Sequence, residues 1–396
     1  MRIPRETNAS RRYWLKAAAA LLIDQWALAH GRALGSAPAP SPTAHDRNVI
    51  VLACGGIRRA ETFSEAGVAN IPHIYSELLP RSTFFARLQN EGVTSHFNTL
   101  ASMLTGEWQR IDDWGKTAPQ SPTIFEYLRK GLKWPQEDVW FISSNKALTS
   151  RIGASSVRDY GPSYGANVVF PKQMLINAVV KAASEGRAAQ TTDRAAMQAE
   201  IQDMLQADNY EGLGWTVSGD GAAPDSATGK AVFSAIKDLV QINAPVTGDE
   251  FTFLVAQRIM RRFTPRLVFI TFSDVEVAHF GSYSLHLGGI RNLDRLAGEL
   301  WSEIESNPVY QGRTTLFIAP EFGRDLDGSN TNGFFNHRQD ADSTRLAWMM
   351  CVGPGADPGS VVTRPLRHID LCPTIAALLG LNPPAVSGEI IREVAV

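Results

Sequence analysis

The chain has 396 residues, enough for one large α/β domain or two smaller ones with a substantial core. With 44% hydrophobic and 20% charged residues it is neither a disordered nor a fibrous protein. A formal net charge of −2, without Lys/Arg runs interleaved with aromatics, argues against nucleic acid as a partner.

Residues 10–16 read Ser-Arg-Arg-Tyr-Trp-Leu-Lys and precede an apolar run at 17–23, followed by a Pro/Ala/Ser-rich stretch at 35–44. This arrangement is similar to a twin-arginine export signal. Asp24 ends the apolar run, which is shorter than the ~20 residues of a spanning helix. The expectation is a signal over 1–36, a linker over 37–46 and a mature protein outside the cytoplasm, in the periplasm or otherwise exported. An amphipathic helix on the domain surface is the alternative for the same residues. No transmembrane span is expected in the mature chain.

From residue 47 onward, apolar strand-like runs at 48–53, 138–142, 266–272, 314–319 and 346–352 alternate with helical patterns. Those patterns fall at 82–89, 99–104, 123–132, 285–304 and 370–379. A strand free of polar alternation is one buried on both faces of a parallel sheet. The alternation therefore predicts a doubly wound, mostly parallel α/β sheet flanked by helices, with its site at the carboxyl ends of the strands. Residues 150–262 break the rhythm. They read as a helical insertion, with helices at 172–184, 193–206, 229–242 and 249–262 and a Gly/Pro/Ser/Asp-rich loop at 218–228. Cysteines number three; Cys54 and Cys351 lie in apolar runs and read as small buried hydrophobes.

Five short segments carry chemistry-bearing residues. The first strand ends in Cys54-Gly55-Gly56-Ile57-Arg58; a helix running to Leu104-Thr105-Gly106 begins near Thr94-Ser95-His96; the 266–272 strand leads into Asp274-Val275-Glu276-Val277-Ala278-His279. The 314–319 strand leads into Glu321-Phe322-Gly323-Arg324, and Asn336-His337 follows. Near the carboxyl end stands His368-Ile369-Asp370-Leu371-Cys372-Pro373-Thr374, where Asp370 and Pro373 suit the first turn of a helix. On their own chemistry, Gly55 suits a tight strand-to-loop turn, and Ser95 or Asn98 suits a helix cap.

Together, from about residue 48 to 375 with the insertion unmatched, these segments resemble the alkaline phosphatase/sulfatase superfamily of metal-dependent hydrolases. The resemblance places Gly55 where relatives keep a metal-binding Asp and Phe322 where they keep a metal-binding His. His96 stands at the position of the nucleophile, with Ser95 or Thr94 as substitutes if the register slips. Glu276 and His279 match the Asp-x-x-His pair of the second metal, with Asp274 as a reserve carboxylate; Glu321 could still ligate; His337 matches the last metal histidine. The resemblance thus implies one depleted metal site and one surviving set of Glu276 (or Asp274), His279 and His337, of the kind that binds catalytic zinc with an open position. The expected cofactor is one divalent metal, zinc first, with no metal the equal alternative. The leading expectation is an exported, degenerate member serving binding, assembly or regulation, with a protein partner such as an active relative or an envelope complex. The runner-up is a one-metal hydrolase of phosphate or sulfate esters, using zinc-bound water with His96 as general base or charge stabiliser. A third reading makes the insertion a docking surface.

Overall fold

Asn48–Cys54, with no charged side chain, forms β1 and is buried at every position. In the computed structural model, which describes residues 46–111, 116–147, 149–173, 247–328, 333–337, 341–382 and 384–394, β1 is the axis of the sheet. All of these residues belong to the unit Pro42–Val396. β1 is covered on both faces and paired on both edges, which is why its apolar run has no polar alternation.

β5 (Leu267–Phe272) and β6 (Thr314–Pro320) flank β1, both parallel to it. β3 (Val139–Ser143) pairs parallel with β5, and β4 (Asn167–Val169) with β3. On the other side β7 (Leu346–Val352) runs antiparallel both to β6 and to β2 (Ser82–Gln89). β8 (Ser360–Val362) and β9 (Leu366–Arg367) lie parallel to β2. Among the described residues the sheet has nine strands in the order β4-β3-β5-β1-β6-β7-β2-β8, with β9 also on β2.

The two-residue period of β1 divides the core into two layers. Ile50, Leu52 and Cys54 face α3 (Gly248–Phe263) and α4 (Tyr283–Ser306), packing with Val255, Ile259, Leu293 and Leu300. Val49, Val51 and Ala53 face α1 (His96–Thr105), α2 (Ile124–Gly131) and α5 (Leu371–Leu378), packing with Phe97, Leu100, Leu128 and Ile375. Reciprocal capping boxes, Thr123 with Glu126 and Thr247 with Glu250, satisfy free N–H groups at the starts of α2 and α3. Gly106, at φ 74°, takes the left-handed conformation that ends α1.

The doubly wound, mostly parallel sheet flanked by helices agrees with the sequence reading. One element does not: residues 82–89, expected to be helical, form β2. Phe84, Phe85 and Leu88 mimic helical spacing because a register shift between Phe85 and Leu88 interrupts the pairing with β7. In a regular strand Leu88 would face the side of Phe84; the shift sends it to the side of Phe85. The proposed insertion also begins and ends inside the fold, since β4 belongs to the sheet and α3 to its helical layer. The helix expected at 172–184 beyond residue 173, those at 193–206 and 229–242, the loop at 218–228, the signal at 1–36 and nearly all of the 37–46 linker lie outside the described residues. Among the described residues no helix is long and apolar enough to cross a membrane. All three cysteines are free and buried.

Candidate metal centre

Because β1, β5 and β6 are parallel, their carboxyl ends open at one rim of the sheet, the usual place for ligands in doubly wound folds. Four chain segments meet there: Gly55-Gly56 after β1, a 3-10 segment Asp274–Phe280 after β5, Glu321 to Arg324 after β6, and the start of α1. His337 joins them from the stretch before β7.

The 3-10 geometry decides which carboxylate faces the rim. At three residues per turn, positions i and i+3 eclipse each other, so Glu276 and His279 project together and their Oε2 and Nε2 lie 3.1 Å apart. Asp274 lies outside this grouping. Its Oδ2 accepts the Asp249 N–H at 3.2 Å, while the Asp249 carboxylate accepts the Ser273 and Asp274 N–H groups at 2.8 and 2.9 Å, tying the segment to the start of α3. From α4, the buried His286 holds the same segment through Nδ1, 2.8 Å from the Val275 carbonyl oxygen. Burial pushes this imidazole down to about 4.

His96, Glu276, His279 and His337 each offer one donor atom, and all four atoms lie within 4.8 Å of one another. His279 Nε2 is 3.1 Å from His337 Nε2, and His96 Nε2 is 3.3 Å from Glu276 Oε2. The second nitrogens are anchored behind the cluster. His96 Nδ1 lies 2.7 Å from Glu321 Oε2, and His337 Nδ1 donates to the Thr94 carbonyl at 2.8 Å. Ser95 stands apart as the residue before α1, its Oγ accepting from Asn98 Nδ2 at 2.8 Å. Among the described residues Glu321 touches the cluster through His96.

Sequence reasoning gave no role to Arg324, yet it organises the rim. Its wholly buried side chain donates from Nη2 to Glu276 Oε2 at 2.6 Å, from Nε to the Gly56 carbonyl at 2.7 Å and from Nη1 to the Phe334 carbonyl at 3.3 Å. Glu276 Oε1 accepts the Gly56 N–H at 2.7 Å. The carboxylate thereby fills the volume beside Gly55: a Cβ added there would overlap Oε1 and stand 2.8 Å from Cδ. Gly55 is not among the glycines of positive φ. Space, and not a left-handed turn, is what requires glycine here. A Cβ on Gly56 would likewise stand 2.8 Å from the Phe322 ring. That ring stacks on His337, with centroids 4.3 Å apart and planes at 28°.

Burial and neighbouring charge set the ionisation of the cluster. Burial alone would raise Glu276, but Arg324, His96 and His279 outweigh it and hold the carboxyl well below its ordinary range. Burial alone would lower His96, and the Glu276 and Glu321 carboxylates instead hold it well above the usual histidine value. Burial pushes Glu321 up to about 7 against the pull of His96. His337 is kept well below its ordinary value by burial and then by the charge on His96, so its ring is neutral.

The donor set fits a zinc-class ion. Bonds of about 2.0–2.1 Å in a tetrahedron place neighbouring donors roughly 3.3–3.4 Å apart. Three of the six donor separations, 3.1, 3.1 and 3.3 Å, are close to that edge length, and the others stay within 4.8 Å. Ionised Glu276 and neutral His337 already have the protonation states that a metal needs, whereas His96, protonated between two carboxylates, must give up its Nε2 proton to bind an ion.

No protein-family model and no curated protein matches the sequence. Among solved structures, the chain is similar to the phosphonate monoester hydrolase of Agrobacterium radiobacter, at 13% identity and a TM-score of 0.51, over 87% of this chain and 76% of that one. It is also similar to the phosphonate monoester hydrolase SpPMH from Silicibacter pomeroyi, at 16% identity and a TM-score of 0.50, over the same shares of the two chains. The fold implied by the sequence resemblance, that of the alkaline phosphatase/sulfatase superfamily, is thus the fold of this chain.

Proposed function

We propose that this chain is an exported protein of alkaline phosphatase/sulfatase fold that has given up ester hydrolysis, keeps at most one divalent ion, and serves binding, assembly or regulation beside a protein partner. The observation that carries this reading is the filled volume at the end of β1. Two-metal hydrolases hold their ions about 3.5–4 Å apart, clamping the attacking and leaving oxygens. Here the Glu276 carboxylate stands in the space of a side chain at position 55, and the Phe322 ring in that of one at position 56. The Arg324 guanidinium, pinned to Gly56 and Glu276, supplies a fixed positive charge beside them.

The residues in place also support loss of the nucleophile. His96 occupies the position the resemblance gives to a hydroxyl, and the Ser95 hydroxyl is engaged with Asn98. Among the described residues, Glu276, His279 and His337 would hold the one ion. The Arg11-Arg12 motif supports export.

The test is a panel of phosphate monoesters, phosphate diesters, phosphonate monoesters and sulfate esters, offered to natively exported protein with zinc, calcium, manganese or magnesium. The expected result is no metal-dependent turnover above that of a His279→Ala/His337→Ala variant, and no more than one metal per chain by elemental analysis. Robust turnover by the unaltered protein refutes the reading. Replacing Arg11 and Arg12 together by lysine should leave the protein in the cytoplasm.

A further inference from the structure

We infer that His96 is a metal ligand in its own right, so that His96, Glu276, His279 and His337 form a closed four-donor site whose ion clasps the rim of the sheet. This deepens the one-ion reading above and rests on it. Catalytic zinc sites present three protein ligands and keep a position for water, whereas structural sites present four. The sequence resemblance supplied three ligands, and the structure adds the fourth. His96 Nε2 faces the oxygen it would share an ion with, at 3.3 Å from Glu276 Oε2.

The support behind His96 is what a ligating imidazole requires. A metal-binding histidine almost always presents its other nitrogen to a carboxylate or a carbonyl, which fixes the ring. Glu321 Oε2 lies 2.7 Å from Nδ1 of His96. Glu321 is itself almost fully buried and anchored by its own N–H to the Cys54 carbonyl at 2.8 Å, at the end of β1. His337 has the equivalent support from Thr94, two residues before His96. Glu276 can serve both partners: a carboxylate oxygen has two lone pairs, so Oε2 can accept Arg324 with one and face the ion with the other.

The geometry also says what closure achieves. The donors come from the start of α1, the segment after β5 and the stretch before β7, which are far apart in sequence. One ion would cross-link all three. Phe322, stacked on His337 and 5.1 Å between centroids from His96, fills the side of the cluster toward β1 with an apolar ring. The site assigned is thus structural, of the N3O type, for a zinc-class cation.

Purified full-length protein, stripped and reloaded with Co(II), tests the assignment through its visible spectrum. The expected result is one Co(II) per chain, the intense bands of a four-coordinate tetrahedral ion, and no change on adding azide or thiocyanate. His96→Ala should open a position, making the spectrum respond to azide. Glu321→Gln, which alters only the support behind His96, should weaken zinc binding about 10–100-fold in a chelator competition while the far-UV circular dichroism is unchanged. An azide-sensitive or octahedral spectrum in the unaltered protein overturns the closed site. So does a wild-type zinc affinity in both variants, or the absence of any bound metal. None of these outcomes bears on ester turnover, which alone decides the reading it rests on.

Discussion

Replacing Gly55 by Asp introduces the residue that the sequence resemblance implies at this position, and the structure predicts that the change is harmful. The new Cβ would overlap Glu276 Oε1, so the Glu276 side chain must leave the pocket beside β1. Overpacking a filled site costs about 1–3 kcal/mol. Displacing Glu276 also breaks its hydrogen bond from the Gly56 N–H, a bond to a charged group of the kind that contributes about 1.5–3 kcal/mol. About 2.5–6 kcal/mol is at stake, against a typical total of about 5–15 kcal/mol. Urea denaturation of Gly55→Asp, Glu276→Ala and the double variant measures this directly. In the double variant the Asp carboxylate takes over the pairing with Arg324 and Gly56, so its loss should fall at least about 2 kcal/mol short of the sum of the single losses. Additive losses, or a Gly55→Asp protein as stable as the parent, would refute the argument that Glu276 has taken the place of a side chain at 55.

Arg324→Met leaves the buried Glu276 carboxylate without its main counter-charge and should cost about 3–5 kcal/mol in urea denaturation. Arg324→Lys should fall between the two, because one ammonium cannot reach three acceptors set for a guanidinium fork. His286 gives a pH signature. Its folded-state value is pushed down to about 4 from 6.5, so the unfolded chain binds the proton first as pH falls. The stability it protects is complete above about 6.5 and is lost progressively as pH falls toward about 4, amounting to about 3 kcal/mol. His286→Phe should flatten the pH dependence of unfolding free energy across that window even if it lowers the plateau. Burial raises the Cys54, Cys351 and Cys372 thiols well above the usual cysteine value. At pH 8 the folded protein should resist Ellman's reagent, and three thiols per chain should appear in guanidinium.

Much of the fold was legible because strands covered on both faces write themselves as uninterrupted apolar runs. β1, β5, β6 and β7 fall where the runs fall. β2 did not, since its register shift is a property of pairing with β7 and leaves only a helix-like spacing in the local sequence. The site was half legible. Glu276 and His279 read as a pair through their resemblance to an Asp-x-x-His motif, with Asp274 in reserve, and the 3-10 path shows which face each occupies. The exchange between Gly55 and Glu276 joins positions that become neighbours only when β1 and β5 pair. Arg324 carried no warning: a cation after a strand usually reaches solvent, and only the acceptors gathered from Gly56, Glu276 and Phe334 explain its burial. The available clue to the exchange between Gly55 and Glu276 was what the resemblance implies: Gly55 in the place of an Asp and Glu276 in the place of another.

The reversal of β7 has a bearing on motion. β6 ends and β7 begins at the same rim, and the described residues between them are laced across by Gly323 N–H to the Thr344 carbonyl at 2.8 Å and Asp325 N–H to the Asn336 carbonyl at 3.0 Å. Residues 321–325, held by few bonds outside the strand ladders, are expected to open at lower cost than the ladders of β1, β5 and β6. Arg324 and Phe322 both lie there, and the Phe322 ring stacks on His337, so such an opening would free guanidinium and ring together and uncover the imidazole. Amide exchange in this stretch would then report occupancy of the rim more sensitively than melting of the whole protein.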